Sequence, residues 1–244
     1  MTITEPDIIV ACIFLFAVTV QTLAGFGLGL VALPLLIPLL GIKTAAPVVA
    51  LVNLVAIGLI FLRYRHAFRF KATKPLIIAG ALGVPIGVWG VKNIPEPITL
   101  TALGFLILGY SVYAFAAPQI PRMRSALWGY GLGFISGICG GAYNSSGPAS
   151  VVYAHSQGWS QETFKSNLQG YFILNSIVIN LTHLLNHNYT PTAWSTVALA
   201  IPGTVLGMIL GVTLSHFIGG ELFRRLVLIL LFILGLRLIL SHLL

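Results

Sequence analysis

Hydrophobic residues run along this chain in stretches much longer than a soluble domain needs. Apolar runs fall at roughly 45–62, 75–91, 98–117, 167–186, 193–216 and 222–243. Each approaches the roughly 20 residues with which a helix crosses about 30 Å of hydrocarbon. Two further stretches, 8–40 and 127–154, are too long for one ordinary crossing, and glycine breaks each of them midway. The first break reads Ala24-Gly25-Phe26-Gly27-Leu28-Gly29, with Pro34 beyond it. The second reads Gly140-Gly141-Ala142-Tyr143-Asn144-Ser145-Ser146-Gly147 and closes at Pro148. Counting seven residues back from each proline reaches Gly27 and Gly141. Interrupted segments in corresponding positions of two halves point to a substrate site in a secondary transporter.

Composition fixes the solvent. With 57% hydrophobic and 7% charged residues over 244 positions, the chain reads as a polytopic membrane protein. Long apolar runs, without ten-residue alternation, predict helices and exclude a barrel, since helices satisfy their own backbone in lipid. The longest polar interval, roughly 63–74, is a loop, so one membrane domain accounts for the chain. The start, Met1-Thr2-Ile3-Thr4-Glu5-Pro6-Asp7, carries acids and no base, unlike a cleavable signal, so the first apolar segment is expected to remain.

The net charge of +8 does not indicate nucleic acid, because the Lys and Arg residues lie between hydrophobic runs and form no basic face. Their distribution is informative about topology. If each broken stretch crosses once, the basic residues split poorly between the two sides. If each doubles back as a hairpin, Arg63, Arg65, Arg69, Lys71, Lys74, Arg122, Arg124, Lys165, Arg224 and Arg225 all lie inside. Only Lys43 and Lys92 fall in outer loops, and Arg237 near the end of the last span can snorkel outward. The expected architecture is therefore all-α with an inverted-topology repeat, halves at 1–121 and 122–244, each a broken-helix hairpin followed by three spanning helices. Both termini are expected outside, in the cytoplasmic (inner) membrane of a prokaryote. Gly83-Val84-Pro85-Ile86-Gly87 matches Pro202-Gly203-Thr204-Val205-Leu206-Gly207 in spacing, and Phe105-Leu106-Ile107-Leu108-Gly109 matches Leu231-Phe232-Ile233-Leu234-Gly235.

A helix interrupted at glycine leaves backbone N–H groups without partners and presents the positive dipole end of the following half-helix. An anion suits that place. Gly25, Gly27, Gly29 and Gly141 would supply backbone, and Tyr143, Asn144, Ser145 and Ser146 neutral polar groups, with Pro34 and Pro148 as the marks that locate the breaks. Gln21, Asn53, Asn167 and Asn175 are further candidates, the last two near one helical face at two-turn spacing. The competing reading is packing: Gly129, Gly133, Gly137 and Gly141, and likewise Gly203, Gly207 and Gly211, are small residues at i, i+4 that let helices approach. The acids Glu5, Asp7, Glu96, Glu162 and Glu221 all fall at segment ends or in loops, which leaves no mid-membrane carboxylate for a cation or proton pump.

These features together resemble the TauE/SafE group of bacterial and archaeal sulfite and sulfonate exporters. The resemblance covers nearly the whole chain. It rests on the glycine-rich opening running to Pro34, on Gly133-Phe134-Ile135-Ser136-Gly137 running to Pro148, on Arg63-Tyr64-Arg65-His66, and on the duplicated layout. It implies a secondary transporter, expected to work as an exporter, of a small sulfur-containing anion such as sulfite or an organosulfonate. Where family members often continue with glycine and aliphatic residues, this chain has Tyr143-Asn144-Ser145-Ser146.

Rival readings are an anion channel, since half-helices meeting in the membrane also build pores, and a membrane thiol oxidoreductase using Cys12 and Cys139. The two cysteines are not in equivalent repeat positions and form no Cys-x-x-Cys pair. His183 and His187, one turn apart, lack the Cys or acid that would complete a metal site and read as an interfacial pair. With no nucleotide-binding loop and no nucleophile–base–acid set, the sequence calls for no enzyme activity and no cofactor. The expected partners are a small anion and the lipid bilayer.

Overall fold

The computed structural model describes residues 5–116, 120–214 and 220–243, and every regular element among them is helical. The order is α1 (Glu5–Ala24), α2 (Leu28–Leu40), α3 (Ile42–Tyr64), α4 (Phe70–Asn93), α5 (Glu96–Ala116), α6 (Ala126–Tyr143), α7 (Gly147–Ser156), α8 (Gln161–Leu185), α9 (Pro191–Leu214) and α10 (Gly220–Leu243). Among the described residues, α1, α3, α4, α5, α8 and α9 are long and apolar enough to cross a membrane, and α2 is a shorter apolar helix.

A helix covers each span expected from hydrophobicity, and polar first turns extend two of them. α8 begins at Gln161 instead of near 167, because the Ser160 hydroxyl accepts from the backbone N–H of Thr163 at 3.3 Å and caps the helix. α4 likewise begins at Phe70, ahead of the apolar run at 75.

Helices pair across the two halves. α1 lies along α9 and α6 along α4, while α3 packs on α8 and α5 on α10. Glycine makes the first two contacts possible: a side chain on Gly203 or Gly207 would strike the carbonyl oxygens of Ala11 and Leu15. In the other half, Gly83 and Gly87 face the carbonyl oxygens of Phe134 and Ile138 in the same way. Close backbone approach is how apolar helices gain packing when lipid offers no hydrophobic drive. The glycines of α9 are thus placed at a helix contact, as are Gly133 and Gly137 of α6 against Leu76 and Gly80.

Contact order gives helix direction. Ala11, Leu15 and Thr19 meet Gly203, Gly207 and Gly211 in ascending sequence, so α1 runs parallel to α9. At one end of the bundle the Ile42 N–H donates to Glu96 Oε1 at 3.4 Å and Lys92 Nζ donates to the Asn186 carbonyl at 3.1 Å. This end gathers the finish of α2, α4 and α8 and the starts of α3 and α5. At the opposite end, Ser166 Oγ donates to the Tyr64 carbonyl at 2.5 Å, the Arg69 N–H to Asn167 Oδ1 at 2.8 Å, and Gln157 Nε2 to the Met123 carbonyl at 3.0 Å. Arg65, Arg69, Arg122 and Lys165 belong to this basic end.

The last of these bonds joins the residues just before α6 to those just after α7, so the second broken stretch returns to the end from which it started. The first does the same at the other end: α1 begins on the side where α9 begins, and α2 finishes there beside α5. Each broken stretch is a hairpin of two helices.

Candidate functional site

The tips of the two hairpins meet. At the first, Gly25 (φ 84°) and Gly27 (φ 107°) both occupy the left-handed region that glycine enters without steric cost, and Phe26 sits between them. No side chain caps α2. The carbonyl of Gly25, freed by the end of α1, accepts from Gln169 Nε2 at 2.7 Å.

The second break lies a few residues later than glycine spacing predicts. α6 continues through Gly140 and Gly141 to Tyr143, and Asn144 ends it in the left-handed conformation (φ 51°), which asparagine tolerates better than most residues. Ser146 precedes α7, and Pro148 stands in its first turn, where the missing N–H costs nothing. Pro34 is placed differently, inside α2, which runs on through Pro38 to Leu40. The seven-residue count that aligns Gly27 with Gly141 therefore does not align the breaks.

Contact between the tips is tight. A side chain on Gly29 would strike the carbonyl oxygens of Tyr143 and Asn144, and a Cβ on Gly147 would come within 2.5 Å of the Phe26 ring. Hydrogen bonds hold the second tip: Asn144 Nδ2 donates to the Ala46 carbonyl at 2.9 Å, Asn175 Nδ2 to Ser146 Oγ at 2.7 Å, and Ser136 and Ser150 hydroxyls to the Ser146 carbonyl at 2.5 and 2.6 Å. Tyr171 OH donates to Ser136 Oγ at 2.8 Å.

A small chamber of ≈ 20 Å³ lies between the tips, lined by Gln21, Gly27, Asn53, Asn144, Ser145, Ser146 and Ser176 together with Phe26 and Phe172. That is room for about one water-sized species. On the other side of the same two phenyl rings opens a vestibule of ≈ 440 Å³ at the basic end, lined by Gly25, Tyr113, His155, Lys165 and Gln169 among others. Phe26 and Phe172 thus line both spaces, and the Phe26 ring lies edge-on to Tyr110 with centroids 5.7 Å apart. A second recess of ≈ 530 Å³ near the opposite end is lined by Pro34, Pro38, Glu96 and Arg237, and no residue of either tip lines it.

Of the residues expected from sequence, Gln21, Gly27, Asn53, Asn144, Ser145 and Ser146 come together at the chamber, Gly29 packs behind it, and Gly25 faces the vestibule. Asn175 reaches it through Ser146. Others point elsewhere. Gly141 packs on the backbone of Val84, Tyr143 OH donates to the Thr99 carbonyl at 2.9 Å, and Asn167 holds the start of α4. Sequence reasoning missed Ser136, Tyr171, Ser176, Phe26 and Phe172. Tyr171 carried a signal, since it lies one turn from both Asn167 and Asn175 on the same helical face.

Cys12 on α1 is exposed and Cys139 on α6 partly buried, both as free thiols. The histidines expected as an interfacial pair diverge: His183 is buried, with Nδ1 3.0 Å from Asn188 Nδ2, whereas His187 is exposed in a turn. Burial by its surroundings raises the Tyr189 phenol above its usual range, and its hydroxyl donates to Asn180 Oδ1 at 2.6 Å.

A family model described as Sulfite exporter TauE/SafE matches residues 9–238, which includes both hairpins. The chain belongs to this family. TauE/SafE proteins are transporters of the sulfite-exporter type, so this is a multi-pass membrane transporter and not an enzyme. No curated protein and no solved structure matches the chain.

Proposed function

We propose that this TauE/SafE protein exports a small sulfur-containing anion, sulfite or an organosulfonate, along a path from the basic vestibule past the two helix tips. The observation that carries this reading is the meeting of two helix breaks beside a vestibule that holds Lys165 and His155. The uncapped starts of α2 and α7 bring backbone N–H groups to the same place, and their dipoles favour negative charge. Gly25, Gly27, Ser145 and Ser146 are the residues proposed to contact the passing anion, with Gly29 holding the tips together.

The halves at 1–121 and 122–244 are proposed to be an inverted repeat. The crossed pairing of α1 with α9 and α6 with α4 supports it, as does the return of each hairpin to a different end of the bundle. With the basic end in the cytoplasm, both termini lie outside and the vestibule faces inward. An interior-negative potential then drives export, by about 2.3 kcal/mol per 100 mV for each negative charge expelled.

Proteoliposomes of purified protein, loaded with sulfite and compared with sulfoacetate, sulfate, thiosulfate and chloride, test the reading. Saturable sulfite or sulfonate flux is expected, and a non-saturating current of channel size would replace the carrier with a pore. Absence of flux with every sulfur anion removes the substrate assignment. Single cysteines at the exposed positions 43 and 160, beside the buried Ile42 and Ser156, are expected to label from opposite sides of the membrane.

A further inference from the structure

Resting on the transport reading above, we propose that the chamber between the tips binds a small monovalent cation of sodium size, held by side-chain oxygens of Gln21, Asn144 and Ser176. All three residues line the chamber and are almost wholly buried, with relative exposures of 1%, 6% and 1%. Gln21 Oε1, Asn144 Oδ1 and Ser176 Oγ have no hydrogen-bond partner in the protein. Buried polar atoms rarely remain so, and each such group calls for an explanation.

The chemistry of these atoms selects the ligand. Asn144 is fixed in orientation, because its Nδ2 donates to the Ala46 carbonyl, which leaves Oδ1 as the free atom. Gln21 Nε2 donates to Asn53 Oδ1 at 3.0 Å. Turning both amides over only exchanges the roles, so the pair always leaves one acceptor oxygen free. Carbonyl-type oxygens repel an anion and attract a cation. No carboxylate lines the chamber, which disfavours calcium and magnesium, and no thiol or imidazole is there for a transition metal.

Helix ends leave the choice to these oxygens: Gln21 lies in the last turn of α1 and Asn144 caps the C-terminus of α6, and these negative dipole ends offset the positive starts of α2 at Gly27 and α7 at Ser146, which line the same chamber. In transporters built from broken helices, such C-terminal ends and neutral oxygens coordinate the coupling ion while N-terminal ends face the anion. The chamber, at ≈ 20 Å³, takes one water-sized ion, and the vestibule beyond Phe26 takes the larger anion. Ions of opposite sign in adjacent compartments strengthen each other's binding, reciprocally.

The test is thermal unfolding of the purified full chain in sodium, potassium and choline chloride at equal ionic strength. A saturable rise in Tm specific to sodium is expected. Ser176→Ala removes an oxygen that bonds to nothing in the protein, so its Tm in choline should equal that of the parent while its half-saturating sodium concentration rises about ten-fold, equivalent to ~1.4 kcal/mol. If Ser176→Ala does not fold, Ser176→Cys substitutes a soft sulfur and should weaken sodium in the same direction. Equal Tm in the three salts, as a chamber holding only water would give, overturns the proposal, and so does a sodium effect unchanged in both variants. Sulfite flux from a protein whose Tm is indifferent to sodium would remove the cation and leave the exporter reading. Sodium-specific stabilisation without flux of any sulfur anion would do the reverse.

Discussion

At the first helix tip the chain turns on two left-handed glycines around Phe26, with no side-chain cap, whereas at the second Asn144 takes the left-handed position and hydrogen bonds from α6, α7 and α8 fix Ser146. One tip is apolar and held by ring packing and one side-chain bond to the Gly25 carbonyl, and the other is polar and held by several. Two pieces built to the same plan thus differ in what they present: the fixed tip supplies a frame, and the glycine-flanked tip places a phenyl ring in the lining of both the vestibule and the chamber. Backbone turning on glycine needs no support from neighbours, but asparagine in that conformation must be held.

Contact between the tips is where the comparison breaks most easily. Gly29→Leu would drive a side chain into the carbonyls of Tyr143 and Asn144, which are backbone of the second tip and cannot yield cheaply. Overpacking of this kind costs roughly 1–3 kcal/mol and more where backbone must move. The expected outcome is loss of monodisperse protein in detergent and of all flux, with Gly29→Ala intermediate. Normal folding of Gly29→Leu would show that the tips are free to separate.

Asn144 distinguishes conformation from hydrogen bonding. Asn144→Ala loses the bond to Ala46 and places an ordinary residue at positive φ, while Asn144→Gly loses only the bond. Alanine should destabilise by roughly 1–3 kcal/mol in chemical unfolding, and glycine by about 1 kcal/mol less than alanine. Equal losses would mean that the bond alone matters.

Much of this architecture is legible in the sequence. Apolar run length gives the spans, and the distribution of basic residues gives hairpins that the bond from Gln157 to Met123 then exhibits. The location of the second break was not legible to the same degree, because Gly140 and Gly141 look like helix breakers in an apolar run. They remain helical: Gly141 is needed for approach to Val84, and a Cβ on Gly140 would strike the Ser146 hydroxyl. In lipid, glycine serves packing as often as interruption, and only the partner helix tells which. Phe26 and Phe172 escaped for a related reason, since aromatic residues in a hydrophobic chain look like any other packing residue until two cavities are seen on either side of them.

Phe26 sharpens the comparison with a smaller effect on stability. The ring is partly exposed, so Phe26→Ala should leave the fold intact while joining vestibule and chamber. With Ser146→Cys as reporter in a background lacking Cys12 and Cys139, a membrane-impermeant thiol reagent applied at the basic end should react about ten-fold faster or more after Phe26→Ala, a gain equivalent to ~1.4 kcal/mol in the opening equilibrium. Unchanged labelling would mean that the second tip, and not the ring, closes the chamber.

The smallest effect belongs to Lys165, which lines the vestibule and is exposed, with its ammonium 5.8 Å from the Tyr64 ring centroid. A solvated charge at a cavity mouth raises the local concentration of an anion without binding it tightly. Lys165→Gln should therefore raise the half-saturating anion concentration only a few-fold, leave maximal flux unchanged, and lose its effect as added salt shortens the screening length to about 3 Å at 1 M. Flux measured across a salt series reads this directly. A fall in maximal flux that persists at high salt would instead place Lys165 in contact with the anion, and the positive side of the site would then extend from the helix tips into the vestibule.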